Sequence, residues 1–340
     1  MHMGCKGFPC VGGGDLGATR GDLGATPGDV GATWGDLGGG GMLDDMAILI
    51  DSPIWPAHGT VFAHLVSTTS LAELHGFAAA AGIPERAFDE DHYDVPERRH
   101  AELVGLGALE VTGRDLARKL IASGLRVPAR ERAKALDRPL RQRWSRLMPA
   151  HEDLGRELLD RWSEPHRRYH TRAHLFAVLT ALETIADGGA PPRAVVLAAW
   201  FHDAVYSAGG PPGQDEEDSA RLAEHRLSAA GLGDAEVGEV GRLVRLTAAH
   251  APDAHDVAGQ LVCDADLEVL GRDPHGYRRY AARVREEYSV VPEEAFRAGR
   301  AAVLEQLLGL DPLFHTRAAR QLWLARAREN MAAELARLRP

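Results

Sequence analysis

An all-α domain, preceded by a small α/β unit and a disordered glycine-rich tail, is the architecture this 340-residue chain predicts. Three observations predict it. Segments of helical period follow one another from Leu140 to the C-terminus. Short apolar runs bounded by turn residues lie between 46 and 125. A glycine-rich repeat starting at Gly14 lies within the first 45 residues. At roughly 150 residues per domain the length suits two folded units, and a hydrophobic content of 45% is enough to build their cores.

The repeat begins at Gly14 and reads GDLGATR, GDLGATP, GDVGATW, GDLGGGG. Two glycines per repeat oppose helix, and one large apolar position is too few for a coiled-coil seam. The spacing of calcium-binding nonapeptides is also missing. Residues 1–45 are therefore expected to be disordered. Met46, directly before the strand-like run Ala47 to Asp51, reads as a natural translation start, which would leave the repeat untranslated.

Residues 46–125 read as a layered βα unit. Ile48 to Ile50 is a short apolar run ended by Asp51-Ser52-Pro53, a turn signal. Phe62 to Val66 is a second strand candidate. Ser70 to Ala81 reads as a helix, with Ser70 and Glu73 at capping-box spacing and Gly82 closing it. Ala108 to Val111 is a third strand candidate, followed by a helix from Arg114 to Ser123 that ends at Gly124. Residues 126–140, with Pro128, Pro139 and many charges, read as a linker. Residues 141–340 then form the all-α domain, with helices over 152–162, 172–186, 193–206, 217–230, 234–250, 275–288, 292–309 and 316–338.

The net charge of -10 argues against nonspecific nucleic-acid binding by the whole chain. Between Glu97 and Arg146, however, 13 Lys and Arg face 6 Asp and Glu, a basic stretch that can either meet phosphates or form a solvated helix surface. Three cysteines, Cys5, Cys10 and Cys263, make no CxxC pair or disulfide framework, which fits a reducing cytoplasm. No run of 18 apolar residues spans a membrane, and Met1 to Pro9 lacks the apolar core of a secretory signal.

Ionisable residues interrupt the apolar runs of the helical domain. His170 and His174 are four apart and share a face if helical. His202-Asp203 breaks the apolar run Ala198 to Tyr206, and burying such a dyad is costly unless it is paired or metal-bound. Asp264 and Asp266 sit in another apolar run. Thr247 and His250 fall in line with Leu243 at the end of an amphipathic pattern. Asp215 to Asp218 makes an acidic helix start, and Arg326 to Asn330 lies in the last helix.

His, then His-Asp, then Asp, in that order within a helical domain, resembles the HD superfamily. More narrowly, Trp162 to Asn330 looks like the predicted HD-superfamily metal-dependent phosphohydrolases. The resemblance rests on Tyr169-His170 to His174, Trp200 to Tyr206, Glu216-Glu217 with Ser219-Ala220, Thr247 to His250, and Asp264-Ala265-Asp266 with Leu270-Gly271. Arg285, Glu287, Tyr288, Phe296, Gly299 and Arg300 also fit, whereas Asp215 stands where asparagine is expected. The N-terminal unit is similar to the DUF4031 family through Ile48 to Asp51, Pro53, Trp55, His58-Gly59, His64 to Ser67 and Asp91 to Asp94.

The HD resemblance implies an HD-type fold with His174, His202, Asp203 and Asp266 as metal ligands. Asp264 is the alternative to Asp266, which is preferred because it follows alanine and precedes the apolar run. It also implies Asp203, His170 and Glu217 as catalytic groups, and His170, Thr247, His250 and Arg300 as substrate contacts. For several of these a blander role stays open: a surface position for His170, a satisfied core histidine for His250, a first-turn charge for Glu217, surface salt bridges for Arg285, Arg300 and Arg328. Imidazole with carboxylate suits Mn, Fe, Co or Zn better than Mg. The implied reaction is hydrolysis of a small phosphate ester, such as a nucleotide, by metal-activated water. A silent nucleotide or metal sensor and a di-iron oxygenase, with ligands added from His170, His250 and Glu217, are the competing readings. A zincin protease is disfavoured, because Thr171 stands where that motif needs glutamate. In the N-terminal unit, Asp51, His58, His64, His92 and Asp94 can form a second site or remain unrelated surface groups.

Overall fold

The computed structural model describes residues 48–128, 132–186 and 188–339, so the expectations for residues 1–45 and for Met46 lie outside the described residues. The N-terminal unit is built around β1 (Ile48–Ile50), whose three residues are all buried. β2 (Trp55–Ala57) and β3 (Thr60–Ser67) form a hairpin whose turn carries His58 and Gly59 at positive φ. β1 pairs antiparallel with β3 and parallel with β5 (Leu109–Glu110), while β4 (Tyr93–Pro96) lies antiparallel against β3.

Helices cover this sheet. In α1 (Leu71–Ala80), Ser70 Oγ accepts from Glu73 N at 3.1 Å, as the capping signal predicts. The Glu73 carboxylate accepts instead from Ser67 Oγ, so it ties α1 to the end of β3. α2 (Glu97–Gly105) follows β4, and α3 (Gly113–Ser123) ends at Gly124 in the left-handed conformation that closes helices.

The stretch expected as a linker over 126–140 is helical from Ala133 onward: α4 runs Ala133–Leu147. Leu136, Leu140 and Trp144 recur every four residues and are buried in the core of the helical domain. That apolar stripe outweighs both the charge content and Pro139. The remaining helices are α5 (Glu152–Arg161), α6 (Arg172–Ile185), α7 (Arg193–Phe201), α8 (Gln214–Ala229), α9 (Asp234–Leu246), α10 (Val257–Asp266), α11 (Pro274–Glu287), α12 (Glu293–Leu308) and α13 (Arg317–Leu338). The structure is thus mostly helical, with the sheet confined to its N-terminal part.

Two helices expected to run longer stop early. α7 ends at Phe201 rather than 206, and α9 at Leu246 rather than 250, where His250 takes a φ of 51°. α10 has no counterpart among the expected helices; its ten residues are bracketed by charges that obscured the period. The core of the domain is aromatic. Trp144 and Trp200 meet edge to face at 5.0 Å, and Trp162 Nε1 donates to the Trp200 carbonyl at 3.1 Å. Gly155 is required beneath Trp144, because a Cβ there would lie 2.2 Å from Trp144 Cδ1.

α11 joins the two units. It packs on α1 and α3, and Ala282 enters the apolar core of the N-terminal unit. Arg279 Nη1 donates to the Arg126 carbonyl at 2.9 Å, and Glu286 meets Arg168 at 2.9 Å and His75 at 3.5 Å. Among the described residues, no helix is long and apolar enough to cross a membrane. Leu140→Ala should lower unfolding free energy by about 2–5 kcal/mol, the cost of emptying a core site, whereas Arg138→Ala, on the exposed face of α4, should stay within about 0.5 kcal/mol. Urea unfolding of both variants checks this; equal small effects would return α4 to the status of a linker.

Candidate metal centre

Three chain segments deliver the buried ionisable groups to one point. Thr171 caps α6 and places His174 in its first turn. His202 terminates α7, and Asp203 follows it out of the helix. Asp266 is the last residue of α10. His174, His202 and Asp266 form a buried group that can bind a metal ion. His174 Nε2 lies 3.1 Å from His202 Nε2 and 3.0 Å from Asp266 Oδ1. His202 Nε2 lies 3.4 Å from both Asp266 Oδ1 and Asp203 Oδ2.

The outer contacts decide which ring nitrogens face the centre. His202 Nδ1 is 2.8 Å from the Ala199 carbonyl, which only accepts, so Nδ1 carries the proton. In the neutral ring the Nε2 lone pair then points at two carboxylate oxygens. Lone pairs gathered in this way repel unless a proton or a cation lies among them. His174 Nδ1 meets the Tyr169 hydroxyl at 3.0 Å. Burial pushes the His174 pKa down to about 4, against the pull of Asp266, so its ring is neutral near pH 7 and suited to metal ligation. Burial works against the Asp266 carboxylate, yet the surrounding imidazoles hold its pKa well below the usual range. Two imidazoles and a carboxylate are thus a donor set that could take a metal ion.

A second layer fixes these groups. His250 Nε2 bonds Asp266 Oδ2 at 2.8 Å, which turns Oδ1 toward the two imidazoles. Glu287, at the end of α11, accepts from the backbone N–H groups of Arg168, Tyr169 and His170 at 2.8–3.2 Å. Its other oxygen meets His170 Nδ1 and the Tyr206 hydroxyl, both at 2.6 Å. His170 Nε2 is left 3.8 Å from Asp203 Oδ2. Arg167, only 3% exposed, donates to the Asp203 carbonyl at 2.7 Å and so holds the turn after α7. Glu287, Tyr206 and Arg167 carry no local sequence signal for these roles, because their partners are 36 to 119 residues away.

The other expected site residues fall elsewhere. Asp264 accepts from His315 N at 2.8 Å and Thr316 N at 2.6 Å, so it secures the start of α13 and does not face the centre. Glu217, expected as a catalytic group, is half-buried on the surface of α8, 2.6 Å from Arg245 and 2.9 Å from Arg221. Thr247, expected to contact substrate, donates to the Val244 carbonyl. Arg300 puts its fork on Glu334 at 2.9 and 3.0 Å. Asp215 caps the loop at Ser207. Arg285 pairs with Glu293, and Arg328 is exposed.

A cavity of about 690 Å³ opens beside His174 and Tyr169 and is also lined by Arg272, Arg279 and Arg283. A smaller one of about 60 Å³ reaches His170, His250 and Asp266 from the side of Arg300. In the N-terminal unit, His64, His92 and Asp94 come together, with Asp51 behind His64. His58 stays in the hairpin turn, its ring 6.4 Å from Phe62.

A family model described as "Protein of unknown function (DUF4031)" matches residues 48–123, so the N-terminal unit is a DUF4031 domain. No curated protein and no solved structure matches the chain.

Glu287 gives this region a pH dependence. Burial raises its pKa, but the charge and hydrogen bonds of His170, Tyr206 and the Arg168 backbone bring it down to about 2. A carboxylate with a depressed pKa contributes fully above its unfolded value and loses its contribution as pH falls toward the folded one. The total is about 3 kcal/mol, lost between roughly pH 5 and pH 2. Urea unfolding at about pH 6.5 and 3.5 should show wild type losing on the order of 1 kcal/mol more than Glu287→Gln; equal losses would mean that Glu287 is not held in this way.

Proposed function

We propose that the helical domain is an HD-type metal-dependent phosphohydrolase that hydrolyses a small phosphate ester, with a nucleotide as the first candidate, in the cytoplasm. One observation carries the reading: two buried imidazole nitrogens and the Asp266 carboxylate converge within 3.0–3.4 Å, beside Asp203 and at the wall of a large cavity bearing three arginines. His174, His202 and Asp266 would hold the ion, with Asp203 as a fourth donor. A bound divalent ion supplies Lewis acidity that activates water and draws charge from a phosphoryl oxygen.

The chain's own groups do the rest. Asp203 Oδ2 stands 3.4–3.9 Å from the three imidazole Nε2 atoms and is placed to take a proton from the attacking water. His170, anchored by Glu287, has its Nε2 3.8 Å from Asp203 Oδ2 and would pass that proton on or receive it. Arg279 and Arg283 line the same cavity as His174 and would hold an anionic substrate there through their planar forks. Water adds to phosphorus and the ester oxygen leaves with a proton, giving an alcohol and a phosphate. The competing di-iron reading draws its extra ligands from His170, His250 and Glu217; the two histidines lie beside Asp203 and Asp266, whereas Glu217 is engaged with Arg245 at the surface.

Metal analysis of purified wild type beside His202→Ala and Asp266→Asn is the first test, with phosphate release from a nucleotide panel in added Mn²⁺. The variants should lose one ion per chain relative to wild type, and phosphate release should fall by on the order of 100-fold or more. Unchanged metal content would overturn the ligand set. An ion and nucleotide that bind without phosphate release would point to a sensor. Where a substrate is found, Arg279→Ala and Arg283→Ala should each raise KM by about tenfold with kcat little changed; a loss confined to kcat would remove them from ground-state binding.

A further inference from the structure

We propose that the DUF4031 domain carries its own metal site, in which His64 Nε2, His92 Nε2 and Asp94 Oδ1 bind one divalent transition ion with positions left open to solvent. The placement follows from strand register. His64 of β3 lies directly opposite Asp94 of β4, and residues paired in this way present their side chains on one face. His92 is two residues before Asp94, so the period of the strand returns it to the same face. The alternating residues Leu65, Tyr93 and Val95 are buried in the core beneath.

Each imidazole is held by a dedicated carboxylate. Asp51 Oδ2 lies 3.0 Å from His64 Nδ1, and its Oδ1 accepts from His64 N at 2.6 Å. Asp91 Oδ1 lies 2.6 Å from His92 Nδ1, while its Oδ2 accepts from Val127 N at 2.6 Å. Both Asp51 and Asp91 are buried. A carboxylate on Nδ1 fixes the ring and the tautomer and leaves the Nε2 lone pair as the outward donor, the arrangement that supports metal-bound histidine. The two rings meet edge to face at 4.8 Å, and their Nε2 atoms lie 4.0 and 3.3 Å from Asp94 Oδ1. Donors at about 2.0–2.1 Å from a tetrahedral ion stand about 3.3 Å apart, so a small rotation of His64 completes the set.

Nitrogen and carboxylate donors select Zn, Fe, Mn or Co over Ca. Asp94 and His64 are partly exposed, at 48% and 25%, so three protein ligands leave coordination positions facing water, as in catalytic rather than structural sites. Trp55, half exposed, stands 5.3 Å from the His64 ring. The domain thus presents an exchangeable ion to a small ligand at a place separate from the helical centre.

The test uses the full chain carrying His202→Ala, stripped of metal and titrated with Co²⁺ under visible absorption. One ion per chain should bind, with the d–d bands of a four- or five-coordinate nitrogen and oxygen site. Adding His64→Ala or Asp94→Asn should weaken binding by on the order of 100-fold while the far-ultraviolet circular dichroism is kept. No Co²⁺ binding in the His202→Ala chain would overturn the proposal and leave His92 as a protonated bridge between Asp91 and Asp94. Binding indifferent to both added variants would overturn it equally. The helical centre is judged separately, by the ion that wild type holds in excess of His202→Ala.

Discussion

Asp266 sets the conditions under which the rest of the helical domain can fold. One carboxylate oxygen approaches two imidazole nitrogens at 3.0 and 3.4 Å in a space where Asp203 is fully buried and none of the four groups is more than 6% exposed. Charges removed from water in this way cost several kcal/mol each unless opposite charge and hydrogen bonds replace the solvent. The domain meets that cost by exhausting the outer valences of each group. Ala199 takes His202 Nδ1, Tyr169 meets His174 Nδ1, and His250 holds the second oxygen of Asp266. What remains is a set of inward-facing groups whose mutual repulsion a shared proton or a cation relieves.

The same economy explains why α11 reaches across the molecule. Its last residue, Glu287, fastens the segment before α6 through three backbone N–H groups, which is what places His170 and then His174 at the centre. One residue earlier, Glu286 pairs with the Arg168 side chain of that same segment and reaches His75 of the N-terminal unit. Arg283, a turn earlier on the same helix, lies 3.5 Å from Glu90 and also lines the large cavity. The cavity is therefore lined in part by a residue that also ties the two units together.

The sequence made some of this legible. Ser70, Gly82 and Gly124 mark helix ends by chemistry that acts within four residues, and the structure uses all three. His174, His202 and Asp266 stood out because each interrupts an apolar run, and burial of a polar group needs a reason that the eye can look for. What failed were inferences about direction. Thr247 and His250 were placed on a helix face, but α9 stops at Leu246 and His250 reaches Asp266 only because its backbone turns left-handed. Glu217 and its neighbour Glu216 differ by one step around a helix, which sends one to the surface and the other inside. α4 was hidden by charge, although its period-four stripe of Leu136, Leu140 and Trp144 was there to be counted.

Glu287, Arg167 and Asp91 have no role legible in the sequence, whereas Asp51 belongs to its candidate second site. Each of the four positions a histidine or the turn beside one, and Glu287, Arg167 and Asp51 do so across 13 or more residues. Such positioning groups leave no spacing to find, because their geometry exists only after folding. They also separate the two clusters physically. In the helical centre the carboxylate partner of the imidazoles is itself a donor, and burial restricts exchange to the cavity side. In the DUF4031 domain the orienting carboxylates lie beneath the rings and the third donor, Asp94, is half in water. An ion bound there, as we propose, would meet less desolvation on entering and leaving than one among the helices.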